Sequence, residues 1–239
     1  MPGKRNGPVA RPGDERAFDA VVFDFDGVIV DTENVIHSTW AETFDHYGAS
    51  FSAEEWAINV GTYGAFDLFA AIAARSTVPL PGVAELERQV LERELELLKD
   101  LVPFPGVCEW IESAARLGMV IAIASSSPAP WVDALLKNVG LTSHFSVVSC
   151  RSETLAAKPA PDVYLDACRR LGVEPARAIA VEDSTNGLTA ALAAGLACVA
   201  VPNSITRDHD LKAANLIIES LGALPLEEAV QLLSKRATG

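Results

Sequence analysis

Short apolar runs recur along the chain, each bounded by polar or glycine punctuation. They are Ala20-Val-Val-Phe, Met119-Val-Ile-Ala-Ile-Ala, Phe145-Ser-Val-Val-Ser, Ala178-Ile-Ala-Val, Ala197-Cys-Val-Ala-Val and Leu216-Ile-Ile. Their length and β-branching predict strands buried on both faces of a parallel sheet. Between them, apolar residues recur at helical spacing over 108–117, 131–139, 163–171 and 187–194. Gly118, Gly140, Gly172 and Gly195 stand where a glycine in left-handed conformation would end each helix. Strand alternating with helix implies a doubly wound, mainly parallel, Rossmann-like α/β core.

Residues 33–101 break that alternation and read as helices only. In the charged stretch from Ala84 to Lys99, Leu86, Val90 and Leu97 fall on one stripe, with Leu91, Leu95 and Leu98 widening it. Pro103 and Pro105-Gly106 mark the return to the alternating pattern. The expected organisation is a flexible tail over 1–19, an α/β core over 20–32 and 102–239, and an all-helical cap over 33–101 inserted after the first strand. The tail is rich in Pro, Gly and Arg and lacks the apolar core of a signal peptide.

Composition narrows the class. Hydrophobic residues make up 49% of 239 residues, enough to build a core, so general disorder is excluded. Nineteen basic against 32 acidic residues give a net charge of −13, which disfavours nucleic acid and anionic lipid as partners. The longest apolar stretch, 188–201, is interrupted by Thr189 and Gly195 and is too short for a bilayer. Cys108, Cys150, Cys168 and Cys198 form no metal or redox spacing and read as thiols in a reducing, cytoplasmic compartment. A phosphorylated substrate would need local positive charge to overcome the global field.

Four features carry chemistry. Asp24-Phe25-Asp26-Gly27 sets two acids at the end of the first strand, where burial is costly without a cation or proton partner. The carboxyl edge of such a sheet is where ligands bind, and Mg²⁺ prefers oxygen donors while keeping waters that a phosphate replaces. Ser125-Ser126-Ser127 puts hydroxyls after the 119–124 run, suited either to phosphate oxygens or to capping a helix. Lys158 precedes Pro159, which disfavours a helical conformation for it and directs a lone cation. Glu182-Asp183-Ser184 adds two acids after another apolar run, before Asn186-Gly187 opens a helix.

In that order, these features resemble the haloacid dehalogenase superfamily, in its phosphatase and beta-phosphoglucomutase-like branch. The resemblance implies Asp24 as a nucleophile that becomes an aspartyl phosphate, and Asp26 as general acid and then base. It implies Ser125 and Lys158 on the phosphoryl group, with Gly27 and Ser126 beside them. It implies Mg²⁺ held by Asp24, the backbone carbonyl of Asp26 and Asp183, with Glu182 a ligand or a partner behind the ligands. A carboxylate meeting a phosphate faces repulsion of roughly 4 kcal/mol at about 4 Å and an effective dielectric near 20, which Mg²⁺ and Lys158 would cancel.

The implied function is Mg²⁺-dependent hydrolysis of a small phosphate monoester, for instance a sugar phosphate, by a monomer or weak dimer. Haloacid dehalogenases proper lack the second acid, here Asp26, and phosphonoacetaldehyde hydrolases need a cap lysine that 32–98 do not contain. Beta-phosphoglucomutase is the nearer alternative. Its histidine after the first motif falls on Ile36, with His37 one residue on. Its cap arginine is absent from Gly61-Thr62-Tyr63-Gly64, and its Lys-Asn after the second motif is replaced by Pro128-Ala129. Those losses favour a hydrolase over a mutase; a non-catalytic phosphate binder on the same fold is the alternative from another class. Thr62 and Glu33 are expected to meet substrate, Asp31 and Thr32 to cap the first helix after the insertion point. The four tryptophans are expected to serve packing, and the histidines stay unassigned.

Overall fold

A computed structural model describes residues 17–60 and 66–237; the side chains of 236 and 237 are outside that description. Strand β1 (Ala20–Phe23) leads into helices α1 (Glu33–His46), α2 (Ala53–Ala57), α3 (Leu68–Arg75) and α4 (Val83–Leu97). The alternating part follows as α5 (Val107–Arg116), β2 (Val120–Pro128), α6 (Ala129–Asn138), β3 (Val147–Arg151) and α7 (Asp162–Leu171). It ends with β4 (Ala178–Glu182), α8 (Thr185–Ala193), β5 (Ala197–Ala200), β6 (Leu216–Ile217) and α9 (Leu226–Ala237). The six described strands form one parallel sheet in the order β3-β2-β1-β4-β5-β6. The α/β expectation therefore holds.

The period of two along each strand sorts side chains into two cores of different texture. Val21, Phe23, Ile121, Ile123, Ile179 and Val181 join the cluster that includes Trp110 on α5, Leu135 on α6 and Leu226 on α9. Ala20, Val22, Ala122, Ala124, Ala178 and Ala180 join Val163 and Tyr164 on α7 and Leu188 on α8. Small side chains on that second face let α7 and α8 approach the sheet closely, which brings their first turns near the strand ends. Gly118, Gly140, Gly172 and Gly195 all have positive φ, so the four expected helix-ending glycines take that conformation.

Helices α1 to α4 build a third cluster around Trp40, Phe44, Trp56, Ile72, Leu86 and Val90. The stripe on α4 is narrower than expected: Leu86 and Val90 are buried with Glu94 between them and Leu98, while Leu91, Leu95 and Leu97 are exposed. Only one side of α4 is packed, so the flanking leucines have nothing to cover them among the described residues. Part of the expected tail is built in. Phe18 is buried in the α/β core and Asp19 pairs with Arg177, whereas 1–16 lie outside the described residues.

Candidate active site

The strand order reverses between β1 and β4, so the chain leaves these neighbours in opposite directions and opens a crevice at their carboxyl ends. Asp24 follows β1, and Glu182 and Asp183 end and follow β4. Backbone pairing from the Asp24 N–H to the Val181 carbonyl, 2.9 Å, locks the two ends in register. The carboxylates of Asp24, Glu182 and Asp183 converge within 4.8 Å of one another, and all three are buried.

Lys158 answers part of that charge. Its ammonium is 1% exposed and lies 2.6 Å from Asp24 Oδ1 and 2.6 Å from Glu182 Oε1. Burial alone would lower the Lys158 pKa, but the two carboxylates outweigh it and hold it above the ordinary lysine value. Tyr164, from the first turn of α7, donates its hydroxyl to the same Glu182 oxygen at 2.6 Å. The other Glu182 oxygen accepts from the Asp183 N–H at 3.2 Å and the Ser184 hydroxyl at 3.4 Å. Gly187 is what admits this carboxylate: a Cβ there would lie 1.8 Å from Glu182 Oε2.

One ammonium does not balance three carboxylates. Burial, then the charge of Glu182, pushes the Asp24 pKa well above the carboxylate range. Burial, then Asp24, Glu182 and Glu33, does the same to Asp183. Asp183 Oδ1 is moreover buried without a hydrogen-bond partner. Buried oxygens of this kind are satisfied by a cation. Oxygen donors of this kind suit a hard divalent ion such as Mg²⁺, so the residues fit the metal that the motif implies.

Asp26 turns the other way. Its Oδ1 accepts from the Thr32 hydroxyl at 2.6 Å and the Trp131 indole N–H at 3.1 Å. Its Oδ2 accepts from the hydroxyls of Ser127 at 2.7 Å and Ser125 at 3.4 Å. The pairing of β2 with β3 shifts register between Ser125 and Pro128, and the serine run lies in that irregular end. Ser125 Oγ also accepts from the Ser127 N–H, and Ser126 Oγ receives the Lys158 N–H, which ties β2 to the lysine loop.

Sequence reasoning thus named Asp24, Asp26, Gly27, Ser125, Ser126, Lys158, Glu182 and Asp183, and the fold gathers all of them at one sheet edge. Glu33, at the start of α1, is near enough for its charge to act on Asp183. Thr62 lies outside the described residues. Thr32 differs from expectation: its hydroxyl serves Asp26 and makes no cap, and Asp31 Oδ1 receives the Asn34 N–H instead. Trp131, Tyr164 and Asn203 were not anticipated at the site, and Ser127, expected with its neighbours to meet phosphate or cap a helix, donates to Asp26. Asn203 donates to Asp183 Oδ2 at 2.7 Å from the loop after β5. His37 stacks edge-on against Trp56 and Phe51 and so packs within the helical cluster.

A sequence model of the haloacid dehalogenase-like hydrolases matches residues 18–195. The chain is 32% identical to Protein CbbY of Cereibacter sphaeroides over 218 residues, spanning 86% of this chain and 94% of that protein. It is 32% identical to fructose-1-phosphate phosphatase YqaB of Escherichia coli over 182 residues, spanning 76% and 95%. A crystal structure of CbbY from Rhodobacter sphaeroides in complex with phosphate superposes with a TM-score of 0.71 at 32% identity, covering 86% of this chain and 95% of that one. The protein belongs to the haloacid dehalogenase-like hydrolases.

Proposed function

We propose that this protein is a Mg²⁺-dependent phosphatase that hydrolyses a small sugar phosphate through an aspartyl phosphate on Asp24. The observation that carries the reading is the buried cluster of Asp24, Glu182 and Asp183 with Lys158 in its midst, beside a second acid two residues from the first. The similarity to a fructose-1-phosphate phosphatase supports a sugar phosphate as the substrate class. So does the solved CbbY complex with xylulose-(1,5)bisphosphate, 31% identical to this chain.

The Asp24 carboxylate attacks phosphorus while the bond from phosphorus to the sugar oxygen breaks. Asp26 gives its proton to the departing oxygen, held toward it by Thr32 and Trp131. Water then attacks the aspartyl phosphate, Asp26 takes the water proton, and phosphate leaves with the Asp24 carboxylate restored. Lys158 neutralises charge on the transferring group, and Glu182 keeps Lys158 in place. Ser125 and Ser126 line the phosphoryl site with Gly27. Asp24, Asp183 and the backbone carbonyl of Asp26 would hold Mg²⁺, which when bound would offset the repulsion between nucleophile and phosphate. Because both Glu182 oxygens already have donors, Glu182 would act on the metal through its charge.

The helical segment 33–101 serves as a cap, and its Glu33, whose charge acts on Asp183, meets the substrate. Asn186, in the first turn of α8, donates to the Val60 carbonyl at 3.0 Å, a contact between the two parts. No helix among the described residues is long and apolar enough to cross a membrane. Three buried free thiols support a cytoplasmic setting.

The test is a panel of phosphorylated metabolites incubated with Mg²⁺ or chelator, beside Asp24→Asn. Free phosphate released only by the wild type with Mg²⁺ is the expected result. Phosphate release by Asp24→Asn at the wild-type rate, or isomerised sugar phosphate without free phosphate, would overturn the reading.

A further inference from the structure

The loop after β5 reaches the carboxylate cluster through one side chain. Asn203 Oδ1 accepts the N–H groups of Ile205 at 2.9 Å and Thr206 at 3.2 Å, and its own N–H goes to Thr206 Oγ1 at 3.0 Å. Thr206 is fully buried, so this turn is anchored. With its oxygen committed to two backbone donors, the amide must present its NH₂ group outward. That group donates to Asp183 Oδ2 at 2.7 Å and to the Gly27 carbonyl at 3.1 Å. Glycine at 27 makes the approach possible: at φ +82° a Cβ would lie 2.5 Å from Asp183 Oδ2 and 2.9 Å from Asn203 Nδ2.

The consequence falls on the other Asp183 oxygen. With Oδ2 held by Asn203, Oδ1 is the buried atom left without a partner, on a side chain that forms the cluster with Asp24 and Glu182. The same amide also fixes the peptide that follows Asp26. The next residue of the loop, Ser204, accepts from Asn34 Nδ2 on α1 at 3.0 Å, and Ile205 packs against the helical cluster. Thus one short turn touches both the carboxylate edge and the helical segment.

We infer that Asn203 is a positioning residue for the divalent metal: it holds Asp183 in the rotamer that presents Oδ1 and steadies the backbone beside Asp26. The inference rests on the metal reading of the site given above. Groups that orient a metal's ligands typically govern ~10- to 100-fold in metal affinity when they are removed.

The experiment uses the full chain freed of metal with chelator. Mg²⁺ binding is measured by titration calorimetry and Mn²⁺ binding by electron paramagnetic resonance. The proteins compared are wild type, Asn203→Ala, Asn203→Ser and Ser204→Ala. Serine at 203 can still accept from the turn's N–H groups but is too short to reach Asp183, so that variant separates turn stability from positioning. Both Asn203 variants are expected to weaken Mg²⁺ and Mn²⁺ by ~10- to 100-fold, with kcat recovering at high Mg²⁺. Ser204→Ala, which cuts only the tie to Asn34, should bind metal like the wild type. Wild-type affinity in Asn203→Ser, or an equal loss in Ser204→Ala, would overturn the inference. A wild type that binds neither ion would overturn the metal reading itself and this inference with it.

Discussion

Glu94 stands on α4 four residues after Val90 and four before Leu98. Leu86 and Val90 belong to the helical cluster and Leu98 to the α/β core, so the carboxyl sits where the two cores meet. It is only 8% exposed, and burial pushes its pKa up to about 7 from a reference of 4.5. The folded protein therefore holds a proton that the unfolded chain has lost between these two values. Stability contributed by the neutral acid is fully present below pH 4.5, falls as pH rises toward 7, and is gone above it. A shift of roughly 2.5 units at about 1.36 kcal/mol each makes the loss about 3 kcal/mol.

Glu94→Gln keeps the shape and cannot ionise. It should leave stability at pH 4.5 nearly unchanged and raise it at pH 8 by about 3 kcal/mol, or roughly 2–4 °C in Tm per kcal/mol at this chain length. Urea unfolding at a series of pH values, followed by tryptophan fluorescence, measures both ends, since Trp40 and Trp56 report on the helical cluster. Equal stabilities of wild type and variant at pH 8, or an unchanged slope between pH 4.5 and 7, would refute the reasoning.

Lys158→Met should destabilise the metal-free protein by about 3–5 kcal/mol at neutral pH, because it strands Asp24 and Glu182 as unpaired buried charges. Chemical unfolding checks this, and the deficit should shrink in acid. Trp131→Phe removes one hydrogen bond that orients Asp26, worth about 0.5–1.5 kcal/mol, so kcat should fall roughly 2- to 10-fold with KM nearly unchanged. An unaltered kcat would show that Asp26 is oriented without the indole. Gly187→Ala must drive Glu182 off Lys158 and Tyr164 and should abolish phosphate release. Gly82→Ala, where a Cβ meets nothing within 4 Å, is the matched control and should keep activity and melting temperature close to wild type.

Much of this molecule is readable before folding because local rules act on it. The apolar runs became strands since no other element buries so short a segment on both faces. Asp24, Asp26, Glu182 and Asp183 stood out because acids at the ends of buried strands are expensive unless something uses them, and Lys158 because Pro159 takes it out of a helix. The narrower stripe on α4 was not legible, because whether Leu91 or Glu94 faces inward depends on what packs against the helix. Thr32 reads as a cap from its position, yet its hydroxyl donates to Asp26, which the turn after β1 brings within 2.6 Å, and accepts no helix N–H.

The family, the strand and helix alternation and the identity of the charged groups follow from residue order alone, since each depends on neighbours a few positions apart. The partners of those groups do not. Trp131 lies 105 residues from Asp26 and Asn203 lies 20 from Asp183, and nothing local marks either one. They meet because a parallel sheet with its order reversing at β1 and β4 brings the loops after several strands to one edge. Which indole or amide then lies within hydrogen-bond reach is decided by packing, through Gly27 and Gly187 making room and through small side chains letting α7 and α8 close on the sheet.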